Sequence, residues 1–85
     1  MSRFNSPAEV LAAAEKWAAE LYRLHIEKGH ALNPYCTPGA IHDFDRGFYD
    51  LPRPSWEGDP AWDYRYQTGR AVARIVQSKK GSENA

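Results

Sequence analysis

The chain has 85 residues, 42% of them hydrophobic and 26% charged, with 11 basic side chains against 11 acidic ones. That length supports one small domain, and neither the charge nor the hydrophobicity is that of a disordered chain. A net charge of zero speaks against a generic polyanion binder, and the lone cysteine, Cys36, excludes an intramolecular disulfide framework.

Three Trp, five Tyr and three Phe supply bulky core in few positions. The first helix-like stretch is too charged for a signal peptide or a membrane span, so a soluble cytoplasmic protein is expected. The strongest local signal is a capping residue followed by proline, which occurs at Ser6-Pro7, Thr37-Pro38 and Asp59-Pro60. Ser, Thr and Asp side chains accept hydrogen bonds from the first-turn N–H groups, and proline fits the first helical position because the N–H it lacks has no partner there. Three helix starts follow. The first is reinforced by Glu9, three residues after Ser6, which completes a capping box and places a carboxylate at the positive end of the helix dipole.

From Pro7 the residues Val10, Ala14, Trp17, Leu21 and Leu24 recur at helical spacing, and Gly29 supplies a terminator. The spacing predicts a helix over 7–28, roughly 33 Å long at 1.5 Å per residue. A second helix is predicted over 38–50, burying Ala40, Ile41, Phe44, Phe48 and Leu51 before Pro52 and Pro54 stop it. The third begins at Pro60, carries Trp62, Tyr66, Gly69, Ala73 and Val76 on one stripe, and fades near residue 80 into a frayed tail over 81–85. The predicted architecture is all-α: a single three-helix domain in which the long first and third helices pair and the shorter middle helix closes the core.

Helices two and three look like loose copies. A shift of 22 residues aligns Pro38 with Pro60, Phe44 with Tyr66 and Gly47 with Gly69, so P-x5-[FY]-x-x-G occurs twice. A glycine within a helix costs about 1 kcal/mol relative to alanine, so each is expected where another backbone or ring packs closely.

Net zero hides a separation of charge. Residues 30–63 hold two basic and six acidic side chains, a balance of −4, whereas residues 64–85 hold five basic and one acidic, a balance of +4. Acids early and bases late in the third helix complement its dipole. Arg70 and Arg74, four apart on one face with Gln67, also form a basic strip suited to a carboxylate or phosphate partner. The same helix has a second apolar line, Tyr64, Ala71 and Ile75, nearly opposite the first. A helix apolar on two sides is either sandwiched or partner-facing, and self-association through this line would give a homodimer.

No catalytic or metal-binding constellation emerges. Cys36, His25, His30 and His42 match no tight ligand spacing and offer a single thiolate, so neither a metal nor a cofactor is expected. Asp43 and Asp45 point apart on a helix, and the chain lacks a nucleophile elbow, a phosphate-binding loop, a dinucleotide glycine motif and H-E-x-x-H. What remains is recognition. His42, Arg46 and Tyr49 share the polar face of the second helix, and Arg53 and Trp56 sit in the proline-rich loop after it. Exposed Tyr, Trp and Arg are the side chains that most often anchor interfaces. With Tyr35, Tyr64, Arg70 and Arg74 they make up the expected partner-binding set.

Asn33-Pro34-Tyr35 followed by Phe44-Asp45-Arg46-Gly47-Phe48 resembles the ribosome modulation factor group and related small bacterial and prophage-encoded proteins, over about twenty residues. The resemblance implies a small helical fold without catalytic activity and places Pro34, Tyr35, Arg46, Gly47 and Phe48 at the matching positions. Asn33 stands where the group has Cys, and a third helix is added. The resemblance also implies a ribosome or RNA partner as an alternative. The leading expectation is a small non-enzymatic bacterial or phage regulator that docks on a protein complex, with anti-CRISPR inhibition of a defence nuclease as one form of that class. A small assembly protein dimerising through the third helix is the remaining alternative. No membrane partner is expected.

Overall fold

The computed structural model describes residues 5–52 and 60–83, with side-chain detail extending to residue 79. Within them lie three helices, α1 (Pro7–Lys28), α2 (Pro38–Phe48) and α3 (Pro60–Glu83), and no strand. The fold is all-α, with two long helices and a short middle one. Ser6 caps α1 by accepting from the Glu9 N–H at 3.3 Å, and Glu9 reaches back to the Asn5 N–H at 2.8 Å, one residue before the position a capping box would use. Gly29, at φ 71°, ends the helix in the left-handed region that glycine enters without a steric penalty. Thr37 has the extended backbone of an N-cap but makes no side-chain capping bond, so α2 starts on Pro38 at its first position and the Ile41 N–H bond to the Thr37 carbonyl. Asp59 lies outside the described residues.

α3 is the central element. α1 packs along one side of it and α2 along the other, and the two outer helices do not pack backbone to backbone on each other. Ala18 and Leu21 of α1, Phe44 of α2 and Ala71 and Val72 of α3 form one buried cluster, with Trp17 and Ile75 among the half-buried residues packed against it. Burying these chains is the main source of stability, about 25 cal/mol for each Å² of apolar surface removed from water. This arrangement answers the two-sided apolar character of α3. Of the line Tyr64, Ala71 and Ile75, expected to serve self-association, Ala71 is 6% exposed against α1 while Tyr64 and Ile75 stay half-buried, so α1 covers only part of it within the monomer.

α2 crosses α3 at a pair of glycines. A Cβ on Gly47 would overlap the Tyr66 carbonyl oxygen and lie 2.8 Å from its carbon, and a Cβ on Gly69 would overlap the Phe44 carbonyl oxygen and lie 2.9 Å from its carbon. Each glycine thus admits the backbone of the other helix at its repeat-mate's aromatic residue. The contact is reciprocal, as in a local two-fold. The aligned pair Asp43 and Arg65 joins across it, Arg65 Nε donating to the Asp43 carboxylate at 2.8 Å and Nη2 lying 2.7 Å away. The sequence repeat is therefore a packing repeat.

Two ends differ from the sequence reading. α2 stops at Phe48 rather than near Asp50, and α3 continues through Gly81 to Glu83 rather than fading at residue 80. At the first of these, Leu51, expected on the buried arc, is 47% exposed because the chain has already turned away.

Candidate recognition surface

The turn that ends α2 has the hydrogen bonds of a Schellman motif: Leu51 N–H bonds the Arg46 carbonyl at 2.9 Å and Asp50 N–H bonds the Gly47 carbonyl at 3.1 Å. Asp50 occupies the left-handed position at φ 57°, where glycine is usual. The Tyr66 hydroxyl donates to the Leu51 carbonyl, so a buried residue of α3 fixes the end of the turn. The turn therefore presents Tyr49, 69% exposed, and Leu51 outward on a rigid base. Phe48 lies beneath, its ring meeting Tyr49 edge-on with centroids 5.3 Å apart and stacking on Phe44 at 6.4 Å.

Beside this turn is a polar recess. Gly47, Phe48 and Ala73 line it together with Arg70, Arg74 and Gln77, and Asp50 stands on its lip. Arg70 Nε is 3.8 Å from Asp50 Oδ1, a loose and exposed ion pair. Gln67, expected to accompany Arg70 and Arg74, turns instead to Asp63, with Nε2 3.4 Å from Oδ1. Gln77 takes that place, three residues beyond Arg74 on the same helical face.

The other expected contact residues divide. His42 is exposed and Arg46 half-buried on α2. Tyr35 is drawn inward: its ring lies 6.1 Å from Phe44, packs on the core and is hydrogen-bonded by the Trp17 indole. Burial pushes the Tyr35 phenol above its ordinary pKa, with the neighbouring Tyr64 adding to the rise. Tyr35 is thus half-buried and takes part in the packing. Tyr64 is half-buried and lines a groove with Lys16, Trp17 and Glu20 between α1 and α3, away from the α2 turn. Arg53 and Trp56 lie outside the described residues.

Asn33 emerges as an organiser that the sequence reading passed over. Its Nδ2 donates to the Ile41 carbonyl at 3.3 Å and to Asp45 Oδ1 at 3.1 Å, while its Oδ1 accepts from the Tyr35 N–H at 3.1 Å. The Pro-Tyr turn is thereby pinned to α2. The signal available in sequence was Asn followed by Pro, a turn-initiating pair. With Asp43 held by Arg65, Asp45 by Asn33 and Asp50 facing Arg70, the three aspartates go to three different partners and do not converge. No group of three or more His, Cys, Asp or Glu side chains could hold a metal ion among the described residues. His25 Nδ1 donates to the His30 carbonyl at 2.6 Å, closing the chain after α1.

A second open face lies between α1 and the later part of α3, where Tyr22, Ile26 and Ile75 line an apolar groove. Arg23 bridges Glu20 and Glu27 along its rim, and its guanidinium hydrogen bond holds the Glu20 carboxyl below the usual carboxylate range. No helix among the described residues is long and apolar enough to cross a membrane. No family model, curated protein or solved structure matches the chain.

Proposed function

We propose that this chain is a small non-enzymatic regulator or inhibitor that docks on a macromolecular complex in the cytoplasm by protein–protein contacts, with the turn after α2 as its contact point. The observation that carries the reading is the outward display of Tyr49 and Leu51 on a turn locked by the Gly47–Gly69 crossing and the Tyr66 hydroxyl. A large aromatic held rigidly at the surface loses little conformational entropy on binding, which is why such residues dominate interface energies. Phage-encoded inhibitors of host defence complexes, the anti-CRISPR type among them, belong to this class. The dispersal of the carboxylates into separate structural pairs supports a binding role over catalysis.

Affinity capture from bacterial lysate, with and without nuclease treatment, tests the reading. A nuclease-resistant protein complex, retained by the wild type and lost on Tyr49→Ala or Leu51→Asp, is the expected result. Ribosomal components that disappear on nuclease treatment would replace the proposal with an RNA-binding modulator.

A further inference from the structure

The geometry points to a carboxylate site in the recess beside the α2 turn: we infer that Arg70 and Arg74 receive an acidic side chain of the docked protein, and that Asp50 is the chain's own competitor for that place. This deepens the docking reading and rests on it. Arg70 and Arg74 are one helical turn apart and line the same recess, with Gln77 supplying a neutral donor beside them. Arg74 has no ion pair among the described residues, and the Arg70 ion pair is with Asp50 at 3.8 Å, too long for the bidentate fork that guanidinium and carboxylate prefer. Most of the donor capacity of two arginines is therefore left for a ligand.

Asp50 also indicates which anion fits. A carboxylate already stands at the lip, on a residue held at φ 57° by the Schellman turn, with its side chain 79% exposed. An incoming Glu or Asp replaces that single charge without leaving a new one unpaired. A nucleic-acid backbone makes a different demand, since affinity there grows with the number of phosphates neutralised and two arginines neutralise few. Exposed Tyr49 and Leu51 flank the recess through Phe48, so the matching segment is an acidic residue next to an apolar one.

The test is a side-chain NMR titration of the full chain, observing the Arg Nε–H resonances while the capped tripeptide Glu-Leu-Glu is added, with Gln-Leu-Gln as the control. Saturable shifts of the Arg70 and Arg74 signals with the acidic peptide alone are expected. Arg70→Gln and Arg74→Gln should each weaken binding about ten-fold, the scale of one lost charge-assisted hydrogen-bonding group. Asp50→Asn should strengthen it several-fold, since Asn tolerates the left-handed backbone and removes the competing charge. Unchanged arginine resonances up to about 10 mM peptide, a millimolar limit of weak binding, would overturn the assignment, as would weaker binding by Asp50→Asn. Tighter, salt-sensitive binding of a single-stranded RNA 12-mer to the same two arginines would overturn it too. If the arginine variants bind the captured complex as the wild type does while Tyr49→Ala loses it, the carboxylate assignment falls and the docking reading stands.

Discussion

Alanine at Gly47 is the most informative single perturbation of the fold. Its Cβ would overlap the Tyr66 carbonyl oxygen, with the Tyr66 carbon at 2.8 Å and the Arg70 nitrogen at 3.0 Å, where apolar carbon contacts settle near 3.5–4.0 Å. Every obstructing atom is backbone, so no rotamer change relieves the overlap. The helices have to separate by about an ångström, which forfeits a quarter to a half of each dispersion contact along the crossing. Overpacking of this kind costs about 1–3 kcal/mol and occasionally more, and a backbone wall puts it just above that range, at about 4 kcal/mol. Exchanging glycine for alanine inside a helix returns about 1 kcal/mol, leaving a net loss of about 3 kcal/mol. For a domain of this size the total stability is about 4–13 kcal/mol, and at about 4–8 °C per kcal/mol the midpoint should fall by about 12–24 °C. Thermal and urea unfolding followed by tryptophan fluorescence and circular dichroism would measure it. Gly69→Ala should cost about as much, and the double variant should fall well short of the sum, because once the helices have parted the second methyl meets little. Gly39→Ala is the internal control. No atom lies within 4 Å of its Cβ position, so there the substitution should stabilise by about 0.5–1 kcal/mol. A Gly47→Ala protein within 0.5 kcal/mol of the wild type would refute the crossing.

Asp43→Ala removes the buried carboxylate that Arg65 bonds across the helix crossing and should destabilise by about 2–4 kcal/mol, read by denaturant unfolding. Asp50→Gly removes the side chain from a left-handed backbone and should raise stability by about 1 kcal/mol, read the same way; a loss would mean that the carboxylate matters more to the fold than the strain does. Because burial raises the Tyr35 phenol above its ordinary value near 10, the folded state holds that proton longer than the unfolded state. Its contribution is complete below about pH 10 and is lost as pH rises through the folded value, so Tyr35→Phe should flatten the alkaline fall in stability, in unfolding curves compared between pH 9 and 11. Ile75→Asp puts a charge on a half-buried side chain that packs on the core beside α1 and should destabilise the chain, read by denaturant unfolding; a folded Ile75→Asp protein with half the mass of the wild type would instead support dimerisation through α3.

The elements were legible because their signals are local. Ser6, the paired prolines and Gly29 act within a turn of chain, and each expected helix is present. Side-chain identity also announced the glycine pair, since a helix tolerates Gly47 and Gly69 only where something presses close. What packs against each glycine was not legible. That each meets the carbonyl of the other repeat's aromatic residue is a property of two helices together, although the 22-residue spacing of Asp43 and Arg65, matching the repeat, was a sequence signal of it. The second stripe of α3 was visible but ambiguous, because burial by α1 and exposure to a partner leave the same pattern in sequence. At the recognition surface, Tyr49 and the arginine pair could be read from residue type and phase. Gln77 and Asp50 could not, since their placement depends on where α2 ends and which way the Schellman turn sends the chain.

The docking face is tested most directly by measuring, against the complex retained in nuclease-treated lysate, the affinities of Tyr49→Ala, Leu51→Asp and Ile26→Ala proteins of verified fold. Tyr49 and Leu51 are the exposed apolar residues of the α2 turn, and Ile26 is a comparably exposed apolar residue in the groove between α1 and α3. The account predicts that the first two variants lose at least about thirty-fold, the scale of an interface anchor, while Ile26→Ala binds as the wild type does. Loss of binding on Ile26→Ala with Tyr49→Ala unaffected would place the contact on the opposite side of α3 and contradict it.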